Sequence, residues 1–293
     1  MPYPSTFSIV AYDFTEPAWG VAVASKFLAS GSVVPWARAG AGAVATQSYA
    51  NTSYGPAGLD LMENGISAEE ALQSLLAGDP QALKRQVGLV DKNGGVATYT
   101  GTTCHEWAGG LTGEGFAVQG NILAGRQVVQ AMADAYIESS GHLAWRLYHA
   151  LLAGDRAGGD RRGRQSAAIL VVKPRGGYGG FNDRWVDYRV DDHPDPVKRL
   201  ADLLELHDLY FGDSPFEDQV ALTGEILREL QALMARLGYY QGDLHGEYDG
   251  TTRTALESFI GNENFEDRTD FEAGRIDRPV LDYLLSHYLE TLK

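Results

Sequence analysis

Thr6 is the residue whose type and position suggest a chemical role most directly. It opens a run of strand-forming residues, 6–11, and a turn separates that run from a second predicted strand that ends at Lys26. A threonine with a free α-amine uses this amine as general base while its hydroxyl attacks an amide carbonyl. Residues 1–5 precede Thr6, so this chemistry requires cleavage between Ser5 and Thr6. Threonine is also common in strands for structural reasons alone.

An arginine-rich loop is the second candidate. Residues 158–166 place three arginines among glycines, just before a continuous apolar run. Guanidinium groups bind carboxylates bidentately, so Arg162 and Arg164 are predicted to hold a charged substrate, while Asp160 holds one arginine or accepts a substrate amine. The competing interpretation is a solvated turn with local ion pairs. The position at the end of a buried strand favours the ligand site.

Two side-chain amides form the third candidate. Gln119 and Asn121 flank Gly120 at the end of another predicted strand. Amide N–H groups can donate to a developing oxyanion, although the same residues also suit a turn. Both are therefore candidate substrate-binding residues.

No cofactor or metal is expected. Cys104 is the only cysteine, which excludes an intramolecular disulfide and argues against a cysteine-rich zinc site. The sequence of residues 40–45 matches the glycine pattern of a dinucleotide-binding motif, but a strand-like run follows where a helix should begin. No Gly-Lys dipeptide is present, so a P-loop is excluded. Cys104 is predicted to be a buried small hydrophobic residue.

The charge of the chain argues against nucleic acid as a partner. The net charge is −15, with 22 acidic and 17 basic residues in 1–212 and 17 acidic and 7 basic residues in 213–293. Such a surface repels phosphate backbones. The sequence contains no apolar run of the roughly 20 residues that a membrane helix needs, and its start does not resemble a secretion signal. A cytoplasmic protein is expected.

The predicted elements indicate an α+β fold. A capping box at residues 67–70 begins a helix to about Ala77, residues 86–90 and 96–100 form a hairpin, and residues 166–172 form a strand covered on both faces. Strands lie early and late, with helices grouped between and after them, so two sheets are expected between helical layers. Charge and periodicity change near residues 212–215, which predicts a domain at 1–212 and a small helical domain at 213–293.

Several motifs resemble an uncharacterised prokaryotic family, domain-of-unknown-function family 1028. The resemblance covers about residues 6–211. The matching segments, in order, are residues 6–11, 20–27, 31–37, 119–121, 159–166, 184–187 and 189–194.

The resemblance implies a member of the N-terminal-nucleophile (Ntn) hydrolase-like superfamily and therefore a four-layer αββα sandwich. Such hydrolases place Thr, Ser or Cys at the start of the first strand, and Thr6 occupies the matching position. Lys26 falls where some of them keep a basic residue, whose ammonium would lower the pKa of the free amine and stabilise negative charge. Residues 1–5 depart from this pattern.

The C-terminal segment is similar to peptidoglycan-binding-like domains. The resemblance rests on a leucine-rich helix at 227–237, the Gly-Tyr-Tyr turn at 238–240 and a threonine-started helix at 252–259. It implies glycan binding through residues 213–293, and docking to a protein is an equal alternative.

The leading hypothesis is a cytoplasmic amide hydrolase for a small charged substrate, such as an acylated amino acid, with Thr6 and Lys26 catalytic. The alternative is a non-catalytic ligand-binding or scaffolding protein with the same fold and an unprocessed N-terminus. A wall-associated glycan binder is a third hypothesis, which requires export. A homodimer is a further expectation.

Overall fold

The computed structural model describes residues 6–212 and 218–291, the last three of them by backbone only. The chain divides into two units, Met1–Leu204 and Glu205–Lys293. Of the linker predicted at residues 212–215, only Gly212 belongs to the described residues. No helix in the described ranges has both the length and the apolar character needed to cross a membrane.

The first unit combines antiparallel sheets with helices. The strands among its described residues are β1 Thr6–Asp13, β2 Ala18–Ser25, β3 Pro35–Arg38, β4 Gly42–Ser48, β5 Arg85–Asp91, β6 Val96–Thr100, β7 Gly109–Gly113, β8 Phe116–Asn121, β9 Ser166–Val172 and β10 Arg184–Val190. The helices are α1 Tyr54–Glu63, α2 Ala68–Ala77, α3 Gln127–Glu138, α4 Leu143–Arg156 and α5 Pro196–Phe211, which continues into the second unit.

Two sheets organise these strands. The larger has the order β10-β9-β2-β1-β8-β7, and the smaller has the order β3-β4-β5-β6. All neighbouring strands pair antiparallel. β1 therefore lies between β2 and β8, and its first residue meets the last residues of both neighbours.

Three apolar cores hold the first unit together. One, containing Phe7 and Leu147, lies between the six-stranded sheet and helices α3, α4 and the start of α5. The second, containing Val10 and Val90, lies between the two sheets. The third, containing Leu89, lies between the four-stranded sheet and helices α1 and α2. Burial of apolar surface in these cores is the main source of stability.

Local sequence signals explain several element boundaries. The Ser67 side chain accepts from Glu70 N and the Glu70 side chain accepts from Ser67 N, so the predicted capping box is formed at the start of α2. The predicted hairpin is formed by β5 and β6. Cys104 is buried, as expected, and burial raises the pKa of its thiol.

The second unit contains helices and a small sheet. The helices are α6 Gly224–Leu237, α7 Gly250–Glu263 and α8 Arg278–Thr291, and the strands are β11 Gln219–Ala221, β12 Thr269–Asp270 and β13 Arg275–Asp277. The strand order is β11-β13-β12. Gly238, with φ of 88°, ends α6 in the left-handed conformation that glycine adopts readily. The sheet is an addition to the helical domain expected from the sequence.

Candidate functional site

Hydroxyl and amide side chains form a row across one end of the six-stranded sheet. Thr6 on β1 pairs with Asn121 on β8, and Ser25 on β2 pairs with Ser166 on β9. The Thr6 and Ser25 hydroxyl oxygens lie 3.3 Å apart. All four residues are buried. The row therefore places the predicted nucleophile beside a second hydroxyl that sequence reasoning did not select.

The alternation of β1 sends these hydroxyls into the space between the two sheets. Phe7 and Ile9 belong to the core against the helices, whereas Val10 belongs to the core between the sheets. Because successive side chains in a strand point to opposite faces, Thr6 and Ser8 face the smaller sheet.

A network of glutamines joins the sheets beneath Thr6. The Ser8 hydroxyl donates to Gln47 Oε1 over 2.6 Å, and Gln119 Nε2 donates to Ser8 Oγ over 2.7 Å. Gln47 Nε2 in turn donates to Gln86 Oε1 over 2.9 Å and to the Thr6 carbonyl oxygen over 3.4 Å. A buried amide is costly unless its hydrogen-bonding groups are satisfied. The network therefore fixes β1 against the smaller sheet.

The amides predicted as substrate ligands belong to this network. Gln119 is fully buried, and its Oε1 lies 3.3 Å from the donating Thr98 hydroxyl. Asn121 Nδ2 donates to Gln86 Oε1 over 2.9 Å. Both residues lie inside β8 and not in a turn. Their side chains make contacts within the protein that hold the strand next to Thr6.

Asp160 ties the arginine loop to the end of β2. Its Oδ2 accepts from the backbone N–H of Lys26 over 2.7 Å and from Arg162 Nη2 over 2.9 Å. Its Oδ1 accepts from the backbone N and from Nε of Arg162 over 2.9 and 3.1 Å. The Asp160 side chain is only 2 % exposed. The bidentate pair therefore fixes the loop in place.

The remaining charged candidates are also engaged near this loop. Lys26 Nζ donates to the carbonyl oxygen of Arg164 over 3.2 Å. Arg164 Nε donates to Asp155 Oδ1 over 2.7 Å, and this hydrogen bond raises the pKa of Arg164. The structure thus brings all seven predicted site residues to one end of the larger sheet, with Arg162 and Arg164 already bound to carboxylates of the protein.

Three residues around this end hold unusual backbone conformations. Ala29, Ser48 and Ile122 have φ values of 52°, 68° and 51°. They follow β2, end β4 and follow β8, respectively. Positive φ is costly for residues other than glycine, above all for a β-branched one, and such strain collects at functional sites. Arg175 and Asn264, which lie away from this end, also have positive φ, so these conformations alone do not assign a function to it.

Sequence reasoning missed Ser25, Gln47 and Gln86. Gln47 and Gln86 lie in strands that also contain several buried apolar residues, and both side chains are completely or almost completely buried. A glutamine at a strand position that should face the apolar core is the sequence signal from which these two residues could have been predicted. Among the described residues, no group of three or more His, Cys, Asp or Glu side chains is arranged to hold a metal ion.

A shallow groove lies on the second unit between the Tyr239-Tyr240-Gln241 turn and one face of α7. Its cavity is about 470 Å³ and its lining carries no charged side chain. The lining residues are Tyr239, Tyr240, Gln241, Gly250, Thr251, Thr254, Ala255 and Ser258. A neutral lining is notable because the residues from 213 onward carry most of the net negative charge.

The chain belongs to the family of unknown function DUF1028, whose model matches residues 6–200. A second model, described as "Putative peptidoglycan binding domain", matches residues 210–284. These matches confirm both resemblances inferred from the motifs. No protein with a curated function matches the chain.

Solved structures add a similar fold. The crystal structure of protein SPO2555 from Silicibacter pomeroyi, described as a DUF1028 protein, has a TM-score of 0.64 and 30% identity over 73% of this chain and 89% of that chain. A mutant of Anbu from Hyphomicrobium sp. strain MC1 has a TM-score of only 0.28 and 9% identity, over 72% of this chain and 99% of that chain. The second likeness is too weak to support an argument.

Proposed function

We propose that the first unit is an Ntn-type hydrolase that cleaves an amide bond of a small charged substrate. The three cores support the four-layer αββα sandwich of that class. One layer of helices packs on the six-stranded sheet, this sheet packs on the four-stranded sheet, and the second layer of helices packs on the four-stranded sheet. Membership of a family of unknown function does not indicate a reaction, so the proposal is based on the residues of the site.

The position of Thr6 carries the proposal. Its hydroxyl lies at the first position of β1, 3.3 Å from Ser25 Oγ, and the glutamine network fixes its carbonyl group. A nucleophile held on a rigid strand, with buried polar neighbours, satisfies the requirement for positioning.

The reaction follows from a free amine at Thr6. Cleavage between Ser5 and Thr6 converts the amide nitrogen of Thr6 into an amine, which takes the proton from Oγ1 as the oxygen attacks the substrate carbonyl carbon. The ammonium then protonates the leaving amine, and an acyl ester remains on Thr6. Water, deprotonated by the same amine, hydrolyses the ester. For Lys26 to lower the pKa of the amine, its ammonium would have to leave the carbonyl oxygen of Arg164, to which it donates.

The other predicted residues receive supporting roles in this proposal. Gln119 and Asn121 hold β8 beside Thr6, because their amides already bind Ser8 and Gln86. Asp160 and Arg162 fix the loop next to Lys26. In this proposal these residues position the site through their contacts within the protein.

The alternative is a binding protein with the same site and an intact Ser5–Thr6 bond. With Ser5 attached, the Thr6 nitrogen is an amide and cannot act as a base at neutral pH. The intact mass of the protein purified from its native host separates the two proposals. A chain beginning at Thr6 is expected for the hydrolase, whereas a folded chain that always retains residues 2–5 favours the binding protein.

For the second unit we propose glycan binding in the groove beside Tyr239. Aromatic rings supply apolar faces for sugars, and Gln241, Thr251 and Thr254 supply neutral hydrogen-bonding groups along the same groove. The description of the matching domain model points to peptidoglycan as the glycan.

A further inference from the structure

The arginine loop spans the strand end at which Thr6 lies. On one side Asp160 accepts from the backbone N–H of Lys26, directly after β2. On the other side Asp160 forms a β-bridge with Leu123, and Arg161 N donates to Ile122 O over 3.2 Å, directly after β8. Because β1 lies between β2 and β8, the loop crosses the end of β1.

Two of the three arginines in this loop have structural partners. Arg162 grips Asp160 and Arg164 binds Asp155. Releasing either guanidinium to a substrate would leave a nearly buried carboxylate unpaired, at 2 % and 8 % side-chain exposure. Leaving such a charge without its partner is strongly destabilising.

Arg161 differs from both neighbours. It is exposed, and its guanidinium makes no ion pair with any residue in the described ranges. Two residues further along the loop, Gly163 adopts φ of 113°, and a Cβ there would meet no heavy atom within 4 Å beyond its own chain neighbours. The loop therefore presents one exposed guanidinium that has no ion pair among the described residues, on a backbone anchored by Asp160.

We propose that Arg161 is the residue that binds the anionic group of the substrate, and that this group is a carboxylate of an N-acylated amino acid or a similar small acid. The inference deepens the proposed hydrolase by naming its substrate class and specificity residue. Guanidinium recognises a carboxylate through two parallel N–H···O bonds. A loop already fixed by Asp160 loses little further freedom on binding.

The test measures binding of small probes to the full chain by titration calorimetry. The probes are N-acetyl-L-alanine and N-acetyl-L-phenylalanine, each compared with its neutral carboxamide. The variant is Arg161→Gln. Arg175→Gln is the matched control, because Arg175 is likewise exposed and without an ion pair among the described residues, but it lies in the turn after β9, at the other end of the sheet.

We expect the carboxylates to bind more tightly than the carboxamides, and Arg161→Gln to weaken carboxylate binding by about tenfold or more without lowering the melting temperature of the free protein. Arg175→Gln should bind like wild type. Equal binding by Arg161→Gln, no preference for the carboxylate, or no carboxylate binding at all would overturn the proposal. Thr6→Ala should bind the carboxylates like wild type. Carboxylate binding therefore tests Arg161 separately from the proposed hydrolysis, which depends on Thr6.

Discussion

The backbone N–H of Lys26 donates to Oδ2 of Asp160 over 2.7 Å, across 134 positions of sequence. This bond joins the end of β2, next to Ser25 and Thr6, to the loop that carries the three arginines. The same carboxylate is held by Arg162 through both of its oxygens. Asp160 thus connects the end of β2, beside Thr6, to the arginine loop.

Asp160→Asn is expected to lower the free energy of unfolding by about 2–3 kcal/mol, because charge-assisted hydrogen bonds from Arg162 are weakened and Lys26 N loses its anionic acceptor. Urea denaturation measures this change. Asp187→Asn is the matched control, since Asp187 also pairs with an arginine, Arg184, but at an exposed position. Asp187→Asn should change the free energy of unfolding by no more than about 0.5 kcal/mol. Equal costs for the two variants would contradict the connecting role of Asp160.

Asp79 is expected to make stability depend on pH. Its carboxylate accepts from Arg85 Nε over 2.7 Å and from the Tyr54 hydroxyl over 2.9 Å, and the Arg85 hydrogen bond holds its pKa below the usual range. A lowered folded-state pKa gives stability that is complete above the unfolded pKa of about 3.9 and is lost as pH falls through the folded value.

Asp79→Asn should therefore be less stable than wild type at pH 7 by about 2 kcal/mol, and the difference should shrink as pH falls below about 4. Denaturant unfolding from pH 7 down to pH 2 measures it. Asp60→Asn, at an exposed carboxylate bound to Arg38, is the control and should change little. A difference that stays constant across this pH range would show that the charge of Asp79 is not responsible.

Several helices and strands were predicted well because the residues that determine them are close together in the sequence. The apolar run 166–172 became β9 with the same ends, and the capping box started α2 as expected. Helix α1 was not predicted, since the glycines and proline at residues 55–58 resemble a turn in sequence. The second unit's sheet was missed because its strands are only two or three residues long.

The site was predicted less completely because its contacts join distant segments. Thr6, Lys26 and the arginine loop were selected from the sequence, but the contact between Thr6 and Ser25 depends on the pairing of β1 with β2. Gln47 and Gln86 reach the site only because the two sheets face each other. An ion pair of Asp160 with one arginine was expected from the sequence, but only the folded chain identifies that arginine as Arg162 and pairs Arg164 with Asp155.

Ala29→Gly is expected to stabilise the protein by about 0.5–1 kcal/mol, because Ala29 holds φ of 52° and glycine adopts this conformation without a steric penalty. The same substitution at Ala57, an exposed position within α1, should destabilise by about 1 kcal/mol. Thermal or urea unfolding measures both. Destabilisation by Ala29→Gly would contradict backbone strain at this position.

The groove on the second unit predicts binding to peptidoglycan. The full chain should sediment with purified, insoluble peptidoglycan, and Tyr239→Ala should reduce the bound fraction several-fold by removing an aromatic wall of the groove. Tyr178→Ala, at a highly exposed tyrosine of the first unit, is the control and should bind like wild type. Absence of sedimentation, or equal binding by both variants, would argue against a glycan groove.

The central claim is that Thr6 acts as a nucleophile once its amine is free, and the site of acylation tests it most directly. A chain prepared to begin at Thr6 is treated with a β-lactone, which acylates an activated hydroxyl by ring opening, and the adduct is located by peptide mass spectrometry. The account predicts one adduct on Thr6, retained in Thr6→Ser, lost in Thr6→Ala and absent from chains that keep residues 1–5. A folded chain beginning at Thr6 that gains no adduct on Thr6 would contradict it.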